Sequence, residues 1–317
     1  MNSIGVVVTL YNKEETIERA LESIERQRCV PAEIIIVNDG STDASLDRAR
    51  RFGRGKSKYI IIDQKNMGVS VARNNGINAS KSNYVAMLDA DDVWNCNHVL
   101  AISRMVEKFP EAGMYVASSK KVLGIHEILE PIAACGVDGS YAVRGTEFYK
   151  KYSDQPRVLH TSAVCLNKHK TRHTGFFPEG AIRSQDIYLW LKIGQECDVI
   201  FNDVVTSFQL MDNSGLGRRA GVVPFYISNL LNDLSYFDES HHPYLEKILS
   251  RGAATSCLAS LSSGCDITSD LGVALSKTLP TTSKIYTLLS YWPYKTTLSS
   301  MARYILRIKE RYNNVCH

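Results

Sequence analysis

Apolar and polar positions alternate in blocks through the first third of the chain. Ile4–Leu10 is a Val-rich apolar run of strand length, broken by Tyr11-Asn12-Lys13. From Glu14 to about Arg28, Ile17, Ala20, Leu21 and Ile24 recur at helical spacing, and Pro31 closes that element. Glu33–Val37 is a second buried strand, followed by the turn-forming cluster Asn38-Asp39-Gly40-Ser41-Thr42-Asp43 and a helix near Ala44–Arg51. Tyr59–Ile62 is a third strand, Asn66-Met67-Gly68 turns into a helix over Val69–Ala79, and Tyr84–Leu88 is a fourth strand. This alternation predicts an α/β fold, a mostly parallel Rossmann-like sheet flanked by helices.

The pattern then loosens. A helix is expected over His98–Phe109, a strand over Met114–Ser118, and loops with short strands over residues 120–145. Thr161–Leu166 reads as a strand and residues 175–180 as a loop. Ser184 is a plausible cap for a helix running from Asp186 to Ile193. Val199–Phe201 and Val204–Leu210 read as strands, and residues 213–219 as a basic loop with Arg218 and Arg219. From Pro224 the periodicity becomes helical, with helices expected over Phe225–Phe237, Tyr244–Ser260, Ser269–Leu279 and Leu298–Tyr312. A boundary near 220 therefore divides an α/β domain, residues 1–220, from a helical C-terminal region, residues 221–317.

Parallel sheets bind ligands outside the carboxyl ends of their strands. Thr9 and Tyr11, Asn38 and Asp39, Asp63, and Asp89 and Asp91 all fall at such ends. The densest chemistry follows the fourth strand, where Asp89, Asp91 and Asp92 stand within four residues. Carboxylates this close repel, and a hard divalent cation with oxygen ligands, Mg²⁺ or Mn²⁺, would offset them. A solvated acidic turn is the plainer reading of so short a cluster.

Composition narrows the field further. The 317 residues are 44% hydrophobic and 22% charged, which fits a globular protein with a real core. No apolar run reaches the roughly 18 residues of a membrane span. The N-terminus lacks a basic segment followed by an apolar stretch, so a cytoplasmic location is expected. The eight cysteines form no Cys-x-x-Cys pair, and reduced structural thiols are the expectation. His160, His169 and His173 show no ligand spacing. Net charge is +4, but residues 281–317 alone carry +5, so the body is nearly neutral and not of a nucleic-acid-binding kind. The basic stretch, interspersed with Tyr291, Trp292, Tyr294 and Tyr304, suits an anionic membrane surface; a helical bundle or a dimer contact is the alternative.

Five pieces in order then resemble the family 2 glycosyltransferases, which have the GT-A fold. They are Val8-Thr9-Leu10-Tyr11-Asn12-Lys13-Glu14; Ile36-Val37-Asn38-Asp39-Gly40-Ser41-Thr42-Asp43; Asn66-Met67-Gly68 through Arg73-Asn74-Asn75-Gly76; Leu88-Asp89-Ala90-Asp91-Asp92; and Gly175-Phe176-Phe177 through Gln185-Asp186 to Leu189-Trp190-Leu191. The resemblance covers about residues 1–215 and does not extend to the helical region.

It implies a nucleotide-sugar donor, usually a UDP-sugar, and an inverting transfer with Mn²⁺ or Mg²⁺ as cofactor. Donor-binding residues carried over are Thr9, Tyr11, Glu14, Asp39, Asn66, Arg73, Asp89 and Asp91. Asp91 is the first metal ligand, and Asp89 reaches the ribose or the metal through water. Asp92 is divided between a helix-start acid and a functional group. Asp39 reads the base, against an Asx-turn role at Gly40. Asp186 is the general base, against a role complementing a helix dipole. Three departures stand out: Asn38 and Gln185 replace frequent acids, and Gln209 and Met211 stand where many relatives carry Arg and His. No Gln-x-x-Arg-Trp motif of processive polymerases is present, so a single-sugar transferase is expected. Its acceptor would be a glycan or lipid-linked oligosaccharide, with a homodimer and peripheral membrane contact as further partners. Nucleotidyl transfer lacks support because no Gly-rich phosphate loop follows the first strand. A catalytically silent nucleotide-sugar-binding scaffold is the competing class, favoured by the same three departures.

Overall fold

The computed structural model describes residues 3–122, 139–210 and 224–262. The expected helices Ser269–Leu279 and Leu298–Tyr312, the basic stretch 281–317, the loop 213–219 and Met211 lie outside the described residues. In chain order the elements are β1 (Ile4–Leu10), α1 (Ile17–Glu25), β2 (Glu33–Asp39), α2 (Ser45–Gly53), β3 (Tyr59–Gln64), α3 (Val69–Ala79) and β4 (Tyr84–Asp89). Then come β5 (Asp92–Trp94), α4 (His98–Lys108), β6 (Met114–Val122), β7 (Ser140–Val143), α5 (Gly145–Asp154), β8 (Val164–Asn167) and α6 (Lys168–Thr171). Last are α7 (Gln185–Glu196), β9 (Val199–Leu210), α8 (Phe225–Asn232) and α9 (His242–Ser262).

Nine strands among the described residues form one sheet in the order β3-β2-β1-β4-β8-β6-β9-β5, with β7 also paired to β9. The first four strands are parallel, as the alternation of the N-terminal elements requires. β6 and β9 also pair in parallel, while β8, β5 and β7 join by short antiparallel ladders. β1 and β2 are buried almost throughout, so their side chains are apolar on both faces rather than alternating. Gly76 lets α3 lie close on this sheet: a Cβ there would stand 2.4 Å from Val7 Cγ1. The amphipathic stripe of α1, Ile17, Ala20, Leu21 and Ile24, is buried in the same core as β1 and β4.

Several local expectations differ from what forms; the helix expected over Phe225–Phe237 ends at Asn232 and is followed by a 3-10 turn over Leu234–Tyr236. Residues Thr161–Ala163 make a single 3-10 turn before β8 rather than its first strand residues. The two strands expected after residue 198 are one, Val199–Leu210, because its register shifts against β6 at Ala117–Ser119 accommodate the polar interruption. α5, an element not expected from the pattern, buries Phe148, Tyr149 and Tyr152.

The described residues fall into two compact units: residues up to 181 together with 189–210, and residues 182–188 together with 224–262. The division lies inside α7, between Tyr188 and Leu189. In the second unit, Tyr188 donates to Asp233 and packs edge-on against Phe225, and the Phe225 amide donates to the Arg183 carbonyl. No helix among the described residues is long and apolar enough to cross a membrane.

Candidate active site

The strand register places Thr9 beside Asp89 and Asp39 beside Gln64, at the carboxyl ends of β1, β4, β2 and β3. The Thr9 hydroxyl donates to Asp89 at 3.0 Å. Arg73, on α3, donates from Nη2 to both Asp89 oxygens at 2.8 and 3.1 Å. The Arg73 side chain is only 6% exposed, and its Nε and Nη1 have no partner among the described residues. Phe177 covers the guanidinium face at 5.0 Å. Asn74 fixes that phenylalanine by donating to its carbonyl at 2.8 Å and accepting its amide at 3.0 Å. Burial opposes the Asp89 charge, yet the charge and hydrogen bonds of Arg73, with His160 and the Thr9 hydroxyl, hold this carboxyl below its ordinary range.

Asp91 and Asp92 meet different surroundings. Asp91 is paired with the Lys13 ammonium at 2.6 Å. Asp92, expected as either a helix-start acid or a functional group, begins β5 and is buried. Burial first, then the charges of Asp89 and Asp91, push the Asp92 carboxyl well above the usual range, with the Ser162 hydroxyl and Lys13 acting against them. Ser162 joins two of the acids: its hydroxyl donates to Asp92 at 2.5 Å and accepts the Asp89 amide at 3.0 Å. Its carbonyl is held by Trp94 Nε1 at 2.6 Å and by the Ser207 hydroxyl at 3.1 Å. His160 Nδ1 stands 3.6 Å from Asp92.

One atom each from Asp89, Asp92 and His160 lies within 4.8 Å of the others. Two carboxylates and an imidazole form a donor set that suits Mn²⁺, with Mg²⁺ preferring oxygen alone. Asp91, expected as the first ligand, stands outside this set in its pair with Lys13. His160, whose spacing with His169 and His173 gave no ligand signal, is brought to the acids by the fold, and Ser162 was not singled out; both precede β8, and nothing local shows that β8 would pair with β4. Lys13 had a clearer signal, lying between Tyr11 and Glu14 in the first motif.

Asp39 anchors the loop before α3. Its carboxylate accepts the Met67 amide at 2.8 Å, the Gly68 amide at 3.0 Å and Gln64 Nε2 at 2.8 Å. Gly40 lies beneath that loop with φ at +71°, where a Cβ would stand 2.7 Å from the Asn66 nitrogen. Asn66 itself is exposed, and Tyr11 is partly exposed. Glu14 is turned toward α2, accepting the Ala44 amide at 2.9 Å. Asn38 donates from its amide to the Asp63 carboxylate at 2.8 Å, a bond that an ionised acid at position 38 could not donate. In the second unit, Asp186 occupies the first turn of α7, and its carboxylate accepts the Ile187 amide at 2.9 Å. Ser184, just before that helix, adopts a left-handed backbone with φ at 59°.

A central sheet of this topology, with acids at the carboxyl ends of β4 and the start of β5, defines the GT-A class of fold. Residues 5–165, just over half of the chain, match Glycosyl transferase family 2, and the chain belongs to that family. Glycosyltransferase GlyA of Streptococcus pneumoniae is 36% identical over 108 residues, 34% of this chain and 16% of that protein. An uncharacterized glycosyltransferase of Escherichia coli, YibD, is 41% identical over 91 residues, 29% of this chain and 26% of that protein. The matched segment thus spans about a quarter or less of these relatives. Among solved structures, residues 1–349 of S. aureus TarS in complex with UDP-GlcNAc superpose with a TM-score of 0.63 at 14% identity, covering 95% of this chain and 91% of that one. A mannosyltransferase of Pyrobaculum calidifontis, in complex with GDP-Man and Mn²⁺, gives a TM-score of 0.58 at 16% identity, covering 96% and 84%. At such identities the likeness concerns the fold.

Proposed function

We propose that this chain is an inverting, non-processive glycosyltransferase. It moves one sugar from a nucleotide-sugar, a UDP-sugar in this reading, to a hydroxyl of a glycan or lipid-linked acceptor in surface polysaccharide synthesis. The observation that carries the reading is the bonded set Thr9–Asp89–Arg73, with Asp91, Asp92 and His160 beside it, at the strand ends of a family 2 chain. UDP and UDP-GlcNAc complexes of TarS, and relatives named for teichoic acid and succinoglycan synthesis, support the choice of donor and pathway class.

The roles follow from what each group has left to offer. A carboxylate has about four acceptor sites. Asp39 uses three on Gln64, Met67 and Gly68 and retains one for a base N–H. Tyr11 supplies an aromatic face at the same edge for the base, the exposed Asn66 is open to the donor, and Glu14 holds the start of α2. Arg73, anchored to Asp89, directs its two unpartnered nitrogens, Nε and Nη1, to the donor's phosphates. Mn²⁺ or Mg²⁺ would be held by Asp89, Asp92 and His160, and by Asp91 if freed from Lys13. An ion held there would supply Lewis-acid stabilisation of the negative charge growing on the departing diphosphate. Asp186 takes the proton of the acceptor hydroxyl as that oxygen attacks the anomeric carbon from the face opposite the leaving group. Attack from that side inverts the configuration.

Asp186→Asn tests this assignment against the silent scaffold. Transfer from UDP-sugars should fall at least about 100-fold, with UDP binding unchanged by calorimetry. Turnover that persists in the variant would remove Asp186 from the base role. A wild-type protein that binds UDP but transfers from none of the UDP-sugars would favour the scaffold.

A further inference from the structure

We infer that Lys13 is a binding residue for the donor's diphosphate, and that its ammonium competes with divalent ions for Asp91. The inference rests on the proposed donor site. The Lys13 side chain is 10% exposed and that of Asp91 is 33% exposed, so the pair is not a freely solvated surface contact. The two residues are 78 positions apart, and the lysine reaches from the turn after β1 to the end of β4.

That turn is fixed on both sides of the lysine. The Lys13 amide donates to Ser45 Oγ at 2.7 Å, and its carbonyl accepts the Thr16 and Ile17 amides at 3.1 and 3.0 Å. Before it, Asn12 adopts φ of 51°, donates its amide to Ser41 Oγ at 3.1 Å, and accepts the Thr42 amide at 2.8 Å. After it, the Glu14 amide donates to Asp43 at 3.2 Å. A turn laced this closely presents a cation in a set position, where a surface lysine would sample many.

The available donors point to an anion. An ammonium has three N–H donors, and among the described residues Asp91 takes one from Lys13. Arg73 likewise has Nε and Nη1 buried without a partner among the described residues. Each cation is matched to one acid, Arg73 to Asp89 and Lys13 to Asp91, and each keeps unused donors. Two such cations flanking one strand end fit a ligand carrying two adjacent anionic centres, which is the chemistry of a diphosphate. A bound cation that shares Asp91 must displace the ammonium, so removing Lys13 should have opposite effects on metal and diphosphate.

The experiment measures both in the full chain. UDP, uridine and inorganic pyrophosphate are bound by calorimetry in EDTA and with Mn²⁺, and Mn²⁺ alone is followed by electron paramagnetic resonance. Lys13→Met should weaken UDP in EDTA by about tenfold or more, the scale of one charge-assisted contact, and leave uridine within about twofold. It should tighten Mn²⁺ alone by about threefold or more, and Lys13→Arg should restore UDP to within about threefold. Pyrophosphate losing affinity with UDP would confirm that the diphosphate, not the base, is what Lys13 holds. Equal UDP affinity in wild type and Lys13→Met, or UDP, uridine and Mn²⁺ all weakening together, would overturn the assignment and leave a structural ion pair. Wild-type protein that binds neither UDP nor Mn²⁺ would contradict the proposed function itself, and the Lys13 role with it.

Discussion

From β3 to β4 the sheet is parallel, and each strand delivers its own terminal residues to the carboxyl edge: Asp63 and Gln64, Asp39, Thr9, Asp89. From β8 to β5 the ladders are mixed, and what reaches the acids comes from segments beside the strands, His160 and Ser162 before β8 and Asp92 at the start of β5. The first arrangement is local, because a residue's place in the site follows from its place in its strand. The second is non-local, because Ser162 meets Asp89 and Asp92 only after a return strand has paired antiparallel with β4. A site assembled from both kinds has a part set by strand ends and a part set by how the later strands dock.

The largest expected effect breaks the local half. Asp89→Ala would leave Arg73, with 6% side-chain exposure, without its counter-charge. Breaking a buried pair from one side costs about 3–5 kcal/mol, measurable as a drop in unfolding free energy in urea, together with loss of UDP binding. A change below about 1 kcal/mol would mean that Arg73 finds another partner.

Next in size is the seam joining α3 to residue 177. Asn74→Ala removes two hydrogen bonds and leaves the buried Phe177 amide and carbonyl unsatisfied, at a cost of about 2–3 kcal/mol. UDP binding should weaken too, because Phe177 covers the Arg73 guanidinium. Full stability with full binding in the variant would disconnect the seam from the site.

The smallest effect sharpens the non-local half. His98 is buried, stacks on Trp94 at 4.1 Å and faces the Thr206 hydroxyl at 2.8 Å. Burial lowers its pKa from 6.5 to about 3. Between these values the unfolded chain binds a proton that the folded chain does not, so this contribution is full above pH 6.5 and is lost as pH falls. The loss should be about 2 kcal/mol by pH 5. Asp92 works in the opposite sense, since its raised pKa favours the folded state as pH falls, so the comparison must be with a variant. His98→Gln should lose less stability between pH 6.5 and 5 than wild type, by that amount, in urea unfolding. Identical pH slopes would place a charged imidazole in the core.

Much of the local half was legible in sequence. The strand runs Ile4–Leu10, Glu33–Val37 and Tyr84–Leu88 form as read, because buried parallel strands show as unbroken apolar runs, and α3 spans the expected Val69–Ala79. Thr9, Arg73 and Asp89 are brought together there. The roles inside the half were harder to read: Glu14 turns toward Ala44, and Asp39 orders the loop at Met67 and Gly68, while the turn at Gly40 is held by Asn38, which accepts the Ser41 amide. Hydrogen-bond partners 28 to 30 residues away leave no mark on local composition. His160 and Ser162 were illegible for a stronger reason. Each is an isolated polar residue in an irregular segment, and only the docking of β8 gives it neighbours. β5 escaped notice because three residues are too few to show a period.

The central claim is a nucleotide-sugar site that works with a divalent cation, and thermal unfolding of the purified chain with UDP, GDP and dTDP, each with and without Mn²⁺, tests it most directly. Ligand at about 100 times its dissociation constant stabilises the folded state by roughly 2.7 kcal/mol. A rise in melting temperature with UDP that is larger in the presence of Mn²⁺ is the expected result. No rise with any nucleotide, with or without the metal, would contradict the account.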